Sequence, residues 1–233
     1  MPIKTADEIA NIEKACRITD AIFSLVVKDF RFSSERELAL FLRKEIKRLG
    51  LREAFPPIVT SGPRAGNEIH PKYTDAAMEG FVIIDFGLRV NGYCSDMTRT
   101  IFVGTPTEND KKLYNLVASA KKAGEKKVRA GASCAAADAA ARASFGSYKK
   151  YFIHTLGHGV GKRIHEQPII FYKRTEPVFE ENSVVTIEPG IYIPKKLGIR
   201  IEDTYVIEKK GPRALTRSPQ TLLVFPKKPN PKK

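Results

Sequence analysis

The stretch from Phe81 to Val103, FVIIDFGLRVNGYCSDMTRTIFV, limits the fold more than any other part of the chain. Val82, Ile83 and Ile84 form a β-branched run, Asn91-Gly92 is a dipeptide favoured in two-residue hairpin turns, and Thr98 to Val103 resumes the apolar pattern. This reads as two strands folded back on each other, with Asp85 in the first and Asp96 in the second. A carboxylate is rare inside such a run, because burying it unpaired is costly or forces its protonation.

Residues paired across a two-residue loop have numbers that sum to an odd value, and positions 85 and 96 satisfy that parity. Both aspartates therefore face the same way, opposite or diagonally adjacent. Carboxylates this close repel, and one has a raised pKa unless a cation lies between them. The plainer alternative gives each its own partner, such as Arg89 or Arg99, or separates them with a bulge. The hairpin alone does not choose between these readings.

A chain of 233 residues fits one large domain or two small ones. With 42% hydrophobic and 28% charged residues it has the composition of a soluble globular protein. Lys+Arg 40 against Asp+Glu 26 leaves a net charge of +14, concentrated in the closing KKPNPKK and in pairs such as Lys121-Lys122 and Lys126-Lys127. That surplus would suit a weak acidic or ribosomal partner. Without a nucleic-acid motif, a soluble surface and a basic tail over 227–233 is the reading preferred. Cys16, Cys94 and Cys134 lie far apart with no CxxC, as expected of reduced thiols in the cytoplasm. The opening MPIKTADEIANIEKA has no secretory apolar region and no later run approaches a membrane span, so no membrane partner is expected.

Thr5 to Glu8 is a capping box, and apolar Ile9, Ile12, Cys16, Phe23 and Val26 continue it as an amphipathic helix to about Lys28. Ser34 to Glu37 reads as a second capping box, with a helix ending at Leu49-Gly50. Phe55 to Thr60 reads as a strand broken at Pro56-Pro57, and the loop SGPRAGNEIHP leads into the hairpin. Thr107 caps a helix to Ala130-Gly131, and an alanine-rich helix covers Ser133 to Phe145. Strands are expected near Tyr151 to Thr155, Ser183 to Glu188, Ile199 to Ile207 and Thr221 to Phe225. Helix, helix, then strands thus occurs twice, giving two related halves, about 1–104 and 105–226, that share one sheet. No short-period repeat indicates a solenoid.

His70 precedes the hairpin, and His154, His158 and His165 fall together in IHTLGHGVGKRIHEQP. Gly157 and Gly159 flank His158, where missing side chains permit close approach. A lone histidine is more often a satisfied core residue, but three in a glycine-rich stretch favour a site. TIEPG places Glu188 at the end of an apolar strand. In GIRIEDTYVI the alternation puts Arg200 and Glu202 on one face, where a plain ion pair on the solvent side is the simpler reading. Taken together, Asp85, Asp96, His158, Glu188 and Glu202 form an oxygen-rich set with one imidazole. Two divalent cations would neutralise the four carboxylates, and Mn²⁺, Co²⁺, Fe²⁺ or Zn²⁺ suit such donors. Paired ions ~3.5–4 Å apart would activate a bridging water and polarise a carbonyl, which is the chemistry of metal-assisted hydrolysis.

The motifs IDFG…YCSDMTRT, HTLGHGVG…HEQP, TIEPGIY and GIRIED, in this order, resemble the pita-bread metallopeptidases, which include methionine aminopeptidase, prolidase and Xaa-Pro aminopeptidase. The resemblance covers nearly the whole chain. It implies an α+β pita-bread fold, with two pseudo-symmetric halves around a curved, mostly antiparallel sheet, in one catalytic domain over 1–226. It further implies that Asp85 holds one metal, that Asp96 and Glu202 bridge both, and that His158 and Glu188 hold the other. Glu188 would also shuttle the proton of the water to the leaving amine. His70 and His165 would steady the scissile peptide and the tetrahedral intermediate.

Arg200-Ile-Glu202-Asp203, the spacing from Glu188, HEQP and Tyr192 resemble the proline-specific branch, where the counterpart of Arg200 organises site and substrate. The resemblance therefore implies a cytoplasmic peptidase that releases an N-terminal residue from Xaa-Pro peptides with two divalent ions, Mn or Co foremost, acting as a monomer or homodimer. Two-domain members carry an additional N-terminal domain, and this chain reads as starting at the catalytic one. The alternatives are a methionine aminopeptidase acting on nascent chains, and a non-catalytic protein- or RNA-binding member. Members of the last kind generally lose metal ligands, and here none is missing.

Overall fold

The structure, a computed structural model, describes residues 3–227. Along the chain, α1 (Ala6–Lys28) and α2 (Glu35–Arg48) precede β1 (Arg52–Glu53), β2 (Ile58–Ser61) and the short α3 (Gly62–Ala65). The hairpin region holds β3 (Gly80–Phe86), β4 (Leu88–Val90), β5 (Tyr93–Cys94) and β6 (Met97–Val103). Then come α4 (Glu108–Glu125), α5 (Cys134–Ser144), β7 (Gly157–Gly159), β8 (Glu166–Ile170) and β9 (Val184–Ile187). The chain closes with β10 (Gly190–Ile193), β11 (Leu197–Arg200), β12 (Asp203–Glu208), β13 (Gly211–Ala214) and β14 (Val224–Phe225). The architecture is α+β. Of the basic tail expected over 227–233, only Lys227 is among the described residues, and it pairs with Glu79 at 2.7 Å.

Local chemistry starts the helices where expected. Thr5 and Glu8 cap α1 reciprocally, and Thr107 and Asp110 do the same for α4. The second box is half formed. Ser34 accepts the Glu37 N–H, but the Glu37 carboxylate turns to the N–H and hydroxyl of Ser33, at 2.7 and 2.8 Å. Glu35 is buried instead, and its oxygens bind Ser61 and Thr74, tying α2 to the segment before the hairpin. The third expected helix ends at Glu125, before Gly131.

The hairpin keeps its expected register and bends. Val90 pairs with Tyr93 and Asp85 with Thr98, while Asn91 and Gly92 both have positive φ, as this turn requires. The two expected strands are each split, at Gly87 and at Ser95-Asp96. A Cβ on Gly87 would lie 1.9 Å from the Ser95 carbonyl oxygen, so only glycine lets the two limbs cross there.

Two main ladders result, ordered β14-β6-β3-β2 and β13-β12-β9-β7-β8, rather than one continuous sheet. They meet where the Glu202 N–H donates to the Thr98 carbonyl at 3.1 Å. The expected single strand over Ile199 to Ile207 is broken at this junction, between β11 and β12. No strand forms at Tyr151 to Thr155, because the Arg142 guanidinium takes the Phe152 and His154 carbonyls from any ladder. Pro56-Pro57 delay β2 until Ile58.

Helices cover the apolar sheet faces. Phe23, Leu38 and Leu42 pack with Val82, Ile84 and Ile101, and Leu113, Val117 and Ala137 pack with Val185, Ile187 and Ile199. Each such fully buried large side chain contributes about 1.5–3 kcal/mol. Strand alternation then turns Asp85, Thr98 and Thr186 away from these clusters. Among the described residues, no helix is long and apolar enough to cross a membrane.

Candidate metal centre

Five separate segments deliver the five expected ligand side chains. Asp85 comes from β3, Asp96 from the break before β6, His158 from β7, Glu188 from the end of β9, and Glu202 from the junction of β11 and β12. All five line one cavity of about 650 Å³, together with His70 and His165. Asp96, His158 and Glu202 offer ligand atoms within 4.8 Å of one another. His158 Nε2 lies 3.3 Å from Glu188 Oε1 and 3.5 Å from Asp96 Oδ2.

The plainer partners for the aspartates are absent. Arg89 donates to the carbonyls of Lys162 and Ala54, and Arg99 pairs with Asp203 at 2.5 Å. Arg200 binds Asp85 instead, at 2.5 Å. Arg200 and Glu202 are each 1% exposed, which corrects the reading of a pair on the solvent side. Arg200 also stands behind the cavity wall rather than in it. Its donors go to Asp85, the Tyr192 hydroxyl (2.5 Å), Thr98 Oγ1 (3.1 Å) and the Ile69 carbonyl (3.3 Å). That geometry anchors Asp85.

Electrostatics follow from crowding. Burial pushes the Asp96 carboxyl well above its usual range, and repulsion from Glu202 and Asp85 adds to it. Burial does the same to Glu202, with Glu188 and Asp85 adding repulsion. Asp85 is raised by burial even with Arg200 beside it. At Glu188 burial acts upward but the His158 hydrogen bond and charge outweigh it, holding the carboxyl at about 2. Desolvation would lower His158, yet its bond to Glu188 raises it. His154 lies off the cavity, bonded to the Thr155 carbonyl and the Tyr192 hydroxyl. Burial pushes it down to about 4, so it stays neutral.

The donors fit a divalent cation. Asp85 Oδ1 and Glu202 Oε1 are buried with no hydrogen-bond partner among the described residues, a state that costs ~1–3 kcal/mol per group. A cation among the carboxylates would satisfy both. His158 Nδ1 lies 3.1 Å from the Gly159 carbonyl, which fixes the tautomer and leaves Nε2 as the ligand atom. The Thr98 hydroxyl donates to Glu202 Oε2 at 2.6 Å, and the Thr186 hydroxyl to Glu188 Oε1 at 3.1 Å. Sequence reasoning missed both threonines. The signal for Thr98 was the parity that sets Asp96, Thr98 and Thr100 on one face. The buried cluster of Arg99, Lys121 and Asp203 behind Glu202 had no such signal.

The sequence model of metallopeptidase family M24 matches residues 10–209. An Xaa-Pro dipeptidase of Pyrococcus furiosus is 41% identical over 227 residues, covering 95% of this chain and 65% of that protein. The crystal structure of an X-Pro aminopeptidase from Thermotoga maritima superposes with a TM-score of 0.90 at 35% identity, covering 95% of this chain and 64% of that one. A recombinant prolidase from Thermococcus sibiricus gives 0.90 at 38% identity, over 95% and 62%. The chain thus spans a little under two thirds of the length of these relatives.

Proposed function

Because the chain belongs to metallopeptidase family M24, we propose that it is a peptidase that releases the N-terminal residue of Xaa-Pro peptides with two divalent ions, Mn²⁺ or Co²⁺ foremost. The observation that carries this reading is the convergence of Asp85, Asp96, His158, Glu188 and Glu202, from five segments, on one cavity. Asp85 would hold one ion, Asp96 and Glu202 both, and His158 and Glu188 the other. When bound, the ions lower the pKa of a water and polarise the scissile carbonyl. Glu188 would accept a proton of that water and return it to the leaving amine. His70 and His165, on the cavity wall, orient the scissile peptide by hydrogen bonding. Phe55, Pro56, Pro57 and Ile58 form an apolar wall suited to a pyrrolidine ring. Proline preference is further supported by the names of the relatives. Three free cysteines suit a reducing compartment, and we place the protein in the cytoplasm.

The test is a panel of an Xaa-Pro dipeptide, an Xaa-Pro tripeptide and Met-Ala-Ser, each assayed with Mn²⁺, Co²⁺ and Zn²⁺. The proline peptides should be cleaved faster. Faster release of methionine would assign the chain to methionine aminopeptidase instead, and no cleavage with any ion would overturn the enzymatic reading.

A further inference from the structure

Glu166 follows His165 and stands at the base of the hairpin joining β7 to β8, where it pairs with Gly159. This hairpin carries His158 on one limb and His165 on the other, with ring centroids 4.3 Å apart. At its tip Lys162, Arg163 and His165 are exposed, Ile164 packs partly against the core, and the Lys162 carbonyl accepts from Arg89 at 2.5 Å. Those contacts hold the loop up to Ile164, and the limb that carries His165 is held on its other side by Glu166.

A clamp on Glu166 comes from the start of the chain. Lys4 Nζ lies 2.6 Å from Glu166 Oε2, with side chains only 6% and 9% exposed. The second oxygen of Glu166 accepts the Arg163 N–H at 3.1 Å, so one carboxylate joins Lys4 to the tip. The Lys4 N–H donates to the Asn182 carbonyl at 2.9 Å, anchoring the strap at its root. Gly161 lets the hairpin backbone lie directly on the ion pair. A Cβ there would stand 2.5 and 2.6 Å from the Glu166 oxygens and 2.6 Å from Lys4 Nζ. From the other side, the Cys94 N–H holds the Gly161 carbonyl at 2.8 Å.

We propose that Lys4 is a positioning residue for His165: through its buried pair with Glu166 it fixes the hairpin so that His165 faces the substrate cavity. Lys4 does not line that cavity, so its effect reaches the substrate only through the hairpin. A buried ion pair stabilises a fold weakly, because desolvation offsets the attraction, whereas it restricts geometry strongly. The inference rests on the role given to His165 above, and its test separates the two.

In the full chain loaded with Mn²⁺, Lys4→Met should lower kcat on an Xaa-Pro dipeptide by about tenfold or more, with KM and Mn²⁺ affinity changed less than about twofold. Lys4→Arg should restore most of the loss. Glu166→Gln should reproduce it, and adding Lys4→Met to Glu166→Gln should change kcat by less than about twofold, since the shared interaction is already gone. Amide hydrogen exchange at 161–166 should accelerate in both variants while β3 amides stay unchanged. Unaltered kcat in both variants would overturn the proposal, whether or not exchange accelerates. If the parent chain cleaves no peptide, the functional reading fails, while exchange still decides whether the clamp exists. Should Lys4→Met not fold, Glu166→Gln carries the same measurements.

Discussion

At Glu202 one carboxylate oxygen accepts from the Thr98 hydroxyl at 2.6 Å, while the other, also buried, has no partner among the described residues. The same hydroxyl oxygen accepts from Arg200 Nε at 3.1 Å, and Arg200 in turn holds Asp85. Thr98 therefore aligns two of the carboxylates without being a ligand itself. Thr98→Val keeps the shape and removes the hydroxyl, leaving Glu202 free to turn. Partners of metal ligands typically contribute about 10–100-fold to affinity, and a loss of that size is expected in a calorimetric Mn²⁺ titration. An affinity equal to that of the parent chain would exclude this role. The Lys4–Glu166 pair, proposed above to position His165, acts on the same scale.

At the scale of elements, what was legible in the sequence was local. The boxes at Thr5 and Thr107 formed because donor and acceptor lie three residues apart. The box at Ser34 was half wrong because Ser33 offered Glu37 two donors in place of one. Asp85 and Asp96 stood out because a carboxylate in an apolar run needs a partner or a proton, and the parity of the hairpin set them on one face. The breaks at Gly87 and Glu202 were not legible, since they arise from contacts across the fold, with the Ser95 carbonyl and the Thr98 backbone. Likewise Phe152 to Thr155 has strand-like residues, and only Arg142 from α5 shows why no ladder forms. Thr98, Thr186 and Lys4 escaped notice because a polar residue in a strand, or near a terminus, ordinarily faces water.

At the scale of the whole molecule, the fold brings four carboxylates together at a cost that a cation would offset. Asp96 and Glu202 have folded pKa values well above their usual 3.8 and 4.5, and His158 is raised above 6.5. In the metal-free protein each contributes stability below its ordinary pKa and loses it as pH rises through the folded value. Glu188, held at about 2, has the opposite sign, but its contribution is lost only as pH falls below 4.5. With metal chelated, the Tm should therefore fall as pH rises from the ordinary carboxylate values of 3.8 and 4.5 through and beyond the ordinary imidazole value of 6.5, and added Mn²⁺ should raise it most at the upper end. A Tm independent of pH in chelator would show that the carboxylates are not crowded as described. The most direct measurement is an anomalous-difference map from a crystal of the full chain soaked in Mn²⁺. Peaks enclosed by Asp85, Asp96, His158, Glu188 and Glu202 are predicted, and a map with no peak among these side chains would contradict the account.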